Sequence, residues 1–347
     1  MPQRKSKRDQ KAQARAEAAE DVALLAKVSR ESPPPLKRRG HGNRTIALLS
    51  RKRSLYSTSR LIQAARAQGH RAIVLDTLKC NLILERSAPR MIFRGVEVRG
   101  LDVVIPRIGA SITNYGLAVV NHFDMMGVPV VNSASGIARS RDKLRGLQLL
   151  AQCGLDVPRT VMAHDRSKLP SLLEEVGGLP AIIKLIRGTQ GVGVMIASTL
   201  AEVQTMLDTF SDLGQEIVLQ EFVAESRGRD VRALVVGDRV IGAMRRQAKR
   251  GEFRSNIHRG GKGQPVELPR DYAEIAVKAA QAVGLEIAGV DMLEAKDGPK
   301  IMEINSSPGF EGLEKATGLD VAGAMISHAV DFAHRVRGKE LRPHALF

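Results

Sequence analysis

Short apolar runs alternate from Arg44 onward with stretches whose apolar residues recur every three or four positions. TIALLS (residues 45–50), RAIVLD, LDVVIPRIG and VPVVN read as buried strands, and STSRLIQAARAQGH and TNYGLAVVNHFDMMG as amphipathic helices. Buried strands separated by such helices predict a parallel α/β sheet. The turn after the first strand, SRKRSLYS, has no glycine fingerprint for a dinucleotide. Past Ser135 the pattern predicts a helix over SRDKLRGLQLLAQCG, the strand AIIKL, and a helix around LAEVQTMLDTF. A further region opens at EIVLQEFV and carries DVRALVVG and RVIGAMRR, the helix DYAEIAVKAAQAVG, then EIAGVDMLEA and PKIMEIN. Turn signals at Gly237-Asp238 and across Asp297-Gly298-Pro299 fold these strands back as antiparallel neighbours, giving α+β character.

Residues 1–43 differ from this pattern: Lys, Arg, Gln and Ala dominate, a short helix is expected through AEAAEDVALLAKV, and consecutive prolines in ESPPPLKRRG exclude regular structure. A disordered basic arm is expected, serving either as a solvated tail or as a tether to RNA or a ribosome. The expected organisation is an arm (1–43), an α/β domain (44–136), a central subdomain (137–208), a C-terminal subdomain (209–335) and a tail (336–347).

Composition adds charge to this picture. The 347 residues carry a net charge of +16, with 43% hydrophobic residues, 3% aromatics and no Trp. The excess favours an anionic partner, while so few aromatics make a base-stacking surface a poor fit. Residues 1–44 hold 12 Lys or Arg against 5 Asp or Glu, so much of the excess belongs to the arm. No apolar run approaches the roughly 20 residues that span a bilayer, and the N-terminus lacks a signal-peptide core, so a cytoplasmic protein without membrane contact is expected. Cys80 and Cys153 lack metal-ligand spacing and read as buried thiols.

Four stretches could carry chemistry. In LPAIIKLIRGTQGVGV, Lys184 ends a strand before glycines 188, 191 and 193, a pattern that brings backbone N–H groups and a point charge to phosphate oxygens. Alone it reads equally as a flexible hairpin with a surface lysine, and Lys143 is weaker still. VLQEFV contains Glu221, Phe222 and Val223 and could meet an adenine through its backbone, although such a segment is usually a core strand. In MEIN, Glu303 and Asn305 share one strand face while Met302 and Ile304 share the other. Pairing back across the Asp297 turn would bring Asp291 to them. Two carboxylates and an amide suit Mg²⁺, which keeps several positions for water and phosphates, better than Ca²⁺ or Zn²⁺. A capped turn beside a solvated Glu is the plainer alternative. Residues 245–263 hold seven Lys or Arg and one Glu, either a solvated loop or a positive lid.

Taken in order, RDKLRGLQLL, AIIKLIRGTQGVGV, VLQEFV, DVRALVVGDRVIGAMRR, FRSNIHRGG, AGVDML and MEINSSPG resemble the ATP-grasp ligases, and with SRKRSLYS and VIPRIGASITNYG the RimK-type glutamate ligases. The resemblance covers residues 44–330 and implies a pre-ATP-grasp domain followed by a two-part ATP-grasp domain with ATP between the parts. It assigns Lys143, Lys184, Gly188, Gly191 and Gly193 to phosphates, Glu221, Phe222 and Val223 to adenine, and Asp230 to the ribose region. It assigns Asp291, Glu303 and Asn305 to two Mg²⁺ ions, replaceable by Mn²⁺, and Arg254, Ser255 and Asn256 to the γ-phosphate and reacting carboxylate. The implied reaction adds L-glutamate to the C-terminus of the sixth small-subunit ribosomal protein through an acyl phosphate, with poly-α-glutamate as a further product, in a homo-oligomer, a tetramer by family resemblance. An acidic growing tail gives Arg245, Arg246, Arg250 and Arg259 a reading as acceptor-binding residues. The arm has no counterpart in the family pattern. Alternatives are another ATP-grasp amino-acid ligase, or a ribosome- or RNA-binding protein with a regulatory nucleotide site.

Overall fold

The computed structural model describes residues 7–31, 42–86, 88–162, 164, 167–186, 193–249 and 262–338. Contacts divide the chain into two units, one of residues 1–134 and 320–347, the other of residues 135–319.

The first unit begins with α1 (Lys7–Arg30), then β1 (Thr45–Leu49), α2 (Tyr56–Ala67), β2 (Arg71–Leu75), β3 (Cys80–Ile83), β4 (Arg90–Phe93), β5 (Val96–Glu97), β6 (Val103–Pro106) and α3 (Thr113–Met125). The expected parallel sheet is present, in the order β2-β1-β6, and all five residues of β1 are buried. A continuous apolar strand of this kind is covered on both faces. The pattern missed β3, β4 and β5, a short antiparallel sheet.

The arm is corrected by α1. Its 24 residues form a helix, and Asp21, Leu25 and Val28, spaced along one stripe, are buried. The Asp21 carboxylate accepts from the Val74 N–H at 3.0 Å and from Arg53 at 2.8 Å. Burial pushes its pKa up, against the pull of those two donors. Ser29 Oγ donates to the Glu97 carbonyl at 2.7 Å, and Arg71 pairs with Glu31 at 2.8 Å. Burying Leu25 and Val28 stabilises docking by about 1.5–3 kcal/mol each. Residues 1–6 and 32–41 lie outside the described residues.

The second unit contains α4 (Ala134–Arg141), α5 (Lys143–Gln152), β7 (Thr160–Val161), α6 (Leu169–Glu175), β8 (Ala181–Leu185), β9 (Val194–Ala197), α7 (Leu200–Asp212) and β10 (Ile217–Glu221). It continues with β11 (Arg229–Val236), β12 (Arg239–Gln247), β13 (Lys262–Pro265), α8 (Arg270–Val283), β14 (Ile287–Ala295), β15 (Gly298–Asn305) and α9 (Glu311–Thr317). The single helix expected from Ser140 is two, because Asp142 leaves helical geometry and caps α5 by accepting from the Arg145 N–H at 3.0 Å.

The central sheet has the order β7-β10-β8-β9. The boundary expected at 208/209 therefore cuts β10 from its sheet, where it pairs antiparallel with β8 from Ile217 to Glu221. The last helix, α10 (Val321–Gly338), also departs from the expected C-terminal subdomain; it belongs to the first unit and packs on α2.

The C-terminal sheet runs β13-β12-β11-β14-β15, antiparallel throughout. One face is apolar: Val231, Ala233, Val235, Val290 and Met292 pack against Ala276, Ala279, Ala280 and Val283 of α8. Small side chains on that helix stripe allow a close approach to the sheet. The opposite face carries charge.

Candidate active site

Strand period places Asp230 and Arg232 on the charged face of β11. Cross-strand register then sets Arg246 opposite Asp230, Asp291 opposite Arg232, and Glu303 opposite Asp291. The expected return across the Asp297 turn is thus the observed pairing of β14 with β15. Asn305 follows two residues on, its Nδ2 donating to Asp291 Oδ2 at 3.5 Å.

The alternation expected in MEIN is broken once. Ile301 lies opposite Met292 and Glu303 opposite Asp291, so Met302 is the extra residue of a β-bulge. Ile301 and Ile304 face the core, and Met302, expected to anchor there, lines the cleft instead. The bulge lets two apolar anchors flank a carboxylate that turns the other way.

Asp291 is 2% exposed and saturated with guanidinium contacts. Arg232 Nε and Nη2 donate to its two oxygens at 2.6 Å each, and Arg246 Nη2 lies 2.9 Å from Oδ2. Arg246 Nε donates to Asp230 at 2.5 Å. Burial disfavours the Asp291 anion, but the two arginines outweigh it and hold the carboxyl below its usual range. Gly289 keeps this corner open: a Cβ there would lie 2.9 Å from Pro308 Cβ and 3.8 Å from Arg232 Nε.

Lys143 and Lys184 line the same cleft as Glu303. Lys143, the first residue of α5, donates to the Leu185 carbonyl at 3.3 Å. Burial lowers the pKa of both lysines, with Glu303 acting in the opposite sense; Lys184, also repelled by Lys143, falls to about 8. Gly193, at φ +77°, packs against Leu185, whose Cδ1 would sit 2.5 Å from an added Cβ. The cleft has a volume of about 1450 Å³ counting its open mouth. Ile182, Val218, Leu293 and Met302 contribute apolar walls, and Glu221, Phe222, Val223 and Asp230 also line it.

Gly188, Gly191, Arg254, Ser255, Asn256, Arg250 and Arg259 lie outside the described residues. Arg245 and Arg246, read both as the end of the strand RVIGAMRR and as the start of the basic stretch, lie on strand β12. Arg246 is 2% exposed and committed to Asp230 and Asp291, which removes it from an acceptor groove. Arg245 points to the other face and forms a two-pronged pair with Glu294 at 2.6 and 3.0 Å. Arg232 escaped sequence reasoning because only strand register reveals that it faces Asp291. Of the two cysteines expected to be buried, Cys153 is exposed.

The donor set fits a hard cation in part: Glu303 opens to the cleft and Asn305 can donate through nitrogen while keeping its oxygen free, whereas both Asp291 oxygens are held by Arg232 and Arg246 and would have to exchange a guanidinium for the ion. Among the described residues, no group of three or more His, Cys, Asp or Glu gathers as a metal site, at this cleft or elsewhere. No described helix is long and apolar enough to cross a membrane.

Two antiparallel sheets, with a cleft lined by Lys143, Lys184 and Glu303 and with Asp291 buried opposite Glu303, are the features of an ATP-grasp enzyme. The chain belongs to the RimK-like ATP-grasp family: the RimK-like ATP-grasp domain matches residues 140–329, and the RimK PreATP-grasp domain matches residues 45–137. It is similar to a probable alpha-L-glutamate ligase of Vibrio parahaemolyticus, 49% identical over 298 residues, covering 85% of this chain and 99% of that protein. A probable alpha-L-glutamate ligase of Rhodopirellula baltica is 50% identical over 290 residues, covering 83% of this chain and 72% of that one. In fold it resembles the ATP-grasp ligase PsnB, solved with a precursor variant, Mg and ADP (TM-score 0.65, 23% identity, 84% of this chain and 99% of that one). It also resembles the D-alanine–D-alanine ligase of Bacillus anthracis complexed with ATP (TM-score 0.62, 18% identity, 86% of this chain and 100% of that one).

Proposed function

We propose that this ligase adds L-glutamate, at the expense of ATP, to the C-terminal carboxylate of the sixth small-subunit ribosomal protein. The observation that carries the ATP half is a cleft lined by Lys143, Lys184 and Glu303, with the buried Asp291 opposite Glu303 across β14 and β15. The relatives' name, alpha-L-glutamate ligase, supports the amino-acid half.

In this reading Lys143, Lys184 and the stretch 188–193 hold the phosphates. Glu221, Phe222 and Val223 hold adenine, and Asp230 lies near the ribose. The acceptor carboxylate attacks the γ-phosphorus, the bond to ADP breaks, and an acyl phosphate results. The neutral amine of L-glutamate then attacks the acyl carbon, phosphate leaves, and one proton is released as the amide forms. Carboxylate and ATP repel each other, so the first step needs fixed positive charge and in-line placement, which the lysines and Arg254, Ser255 and Asn256 provide. Asp291, Glu303 and Asn305 would hold one or two Mg²⁺, or Mn²⁺ in their place, supplying charge neutralisation at the phosphates.

A growing glutamate tail is acidic, and Arg250 and Arg259 are the basic residues assigned to it. Poly-α-glutamate synthesis without a protein acceptor, a cytoplasmic homo-tetramer, and ribosome contact through the basic arm belong to the same reading. The test is mass spectrometry of ribosomal proteins after incubation with ATP, Mg²⁺ and L-glutamate. Increments of single glutamyl residues on one small-subunit protein are expected. ADP release that depends instead on another amino acid, with no increment, would replace this reading with a different amino-acid ligase.

A further inference from the structure

Lys300 lies on β15, the edge strand of the C-terminal sheet, three residues before Glu303 and opposite Leu293 on β14. Its Nζ donates to both carboxylate oxygens of Glu221, at 2.9 and 3.0 Å. Glu221 ends β10, in the central sheet, so this pair ties the two sheets together. The two side chains are only 14% and 16% exposed, which protects the pair from solvent screening.

The attachment is reinforced on both sides. Glu221 exchanges backbone and side-chain bonds with Arg159: its N–H donates to the Arg159 carbonyl at 2.8 Å, and its carboxylate accepts from the Arg159 N–H at 3.0 Å. Next to Lys300, the Ile301 N–H donates to the Asp156 carbonyl at 2.8 Å. Burial works against the Glu221 anion, and the Arg159 N–H and Lys300 overcome it, so its carboxyl is held below the usual range. Lys300 does not itself line the cleft, whereas Glu221, Phe222 and Val223 do, as does Leu293 beside it.

We infer that Lys300 is a positioning residue that fixes the Glu221–Phe222–Val223 backbone against β15 and thereby governs nucleotide affinity and base selection, leaving the chemical step alone. This rests on the reading of the cleft as a nucleotide site. A base recognised by backbone groups is sensitive to shifts of a few tenths of an ångström, because hydrogen bonds weaken steeply with distance and angle. A charge-assisted pair is among the stronger fixings available to a protein, and its loss relaxes the segment it holds.

Lys300→Met keeps the stem and removes the ammonium; Lys300→Arg keeps the charge; Lys300→Gln retains a donor should the Met variant lose its fold. Calorimetry with Mg²⁺-ADP, together with ADP-release kinetics using ATP and GTP, reads the effect. Lys300→Met is expected to weaken ADP binding and raise KM for ATP about tenfold, to leave kcat within about twofold, and to narrow the preference for ATP over GTP. Lys300→Arg should recover most of the loss. Wild-type affinity and KM in a folded Lys300→Met protein with only a lowered melting temperature would overturn the inference and reduce the pair to a structural tie. Absence of ADP binding in the unaltered protein would instead bring down the nucleotide reading itself, and the inference with it.

Discussion

Arg246→Met should unfold the C-terminal sheet more readily without acting on acceptor recognition. Arg246 is 2% exposed and stands between two carboxylates, 2.5 Å from Asp230 and 2.9 Å from Asp291. Methionine retains the apolar stem, so the loss is chiefly electrostatic. Asp291 keeps Arg232, while Asp230, itself 2% exposed, loses the guanidinium that offsets its burial. Removing one side of a buried ion pair costs about 3–5 kcal/mol. Urea unfolding followed by circular dichroism measures this, the midpoint falling with little change in slope. Adding Asp230→Asn removes the carboxylate that Arg246 pairs with, so the double variant should lose less than the sum of the single losses. A loss below about 1 kcal/mol, coupled to a raised KM for an acidic acceptor peptide, would refute the reasoning and return Arg246 to the acceptor groove.

Leu25→Ala, at a fully buried position of α1, should cost about 2–5 kcal/mol in the stability of the first unit, measured by the same unfolding experiment. An unchanged midpoint would mean that α1 does not dock in solution. Nucleotide phosphates should restore the proton that burial drives from Lys184, whose pKa lies near 8. Mg²⁺-ADP binding at pH 8–9 should therefore take up protons, and affinity should fall as pH rises through about 8. Calorimetry in buffers of different ionisation enthalpy reads the uptake, which Lys184→Arg should abolish.

The main architecture was legible where burial wrote continuous apolar runs, as in TIALL of β1, and where helix stripes repeat, as along α8. The juxtaposition of Asp291 and Glu303 was legible because a tight turn at Asp297 fixes which strands pair. What escaped depended on facts outside local pattern. Docking of α1 hangs on three positions, Asp21, Leu25 and Val28, within a strongly polar helix. The bulge at Met302 defeats any reading that assumes strict alternation. Arg245 and Arg246 look alike in a basic run, yet neighbouring strand residues face opposite ways. One reaches Glu294 and the other the buried Asp230 and Asp291. The stretch EIVLQEFV leads directly into β11 in sequence, but its hydrogen bonds go back to β8. Sheet membership is decided by those long-range bonds, which chain order does not reveal.

The most direct measurement is Mg²⁺-dependent ADP formation by Glu303→Ala, set beside its circular dichroism spectrum and melting temperature. Glu303 is exposed to the cleft, so its truncation should leave the fold intact. ADP formation should be abolished while the spectrum and melting temperature stay those of the unaltered protein. Near-normal turnover in a folded Glu303→Ala enzyme would contradict the assignment of the carboxylates on β14 and β15 to the metal that accompanies ATP.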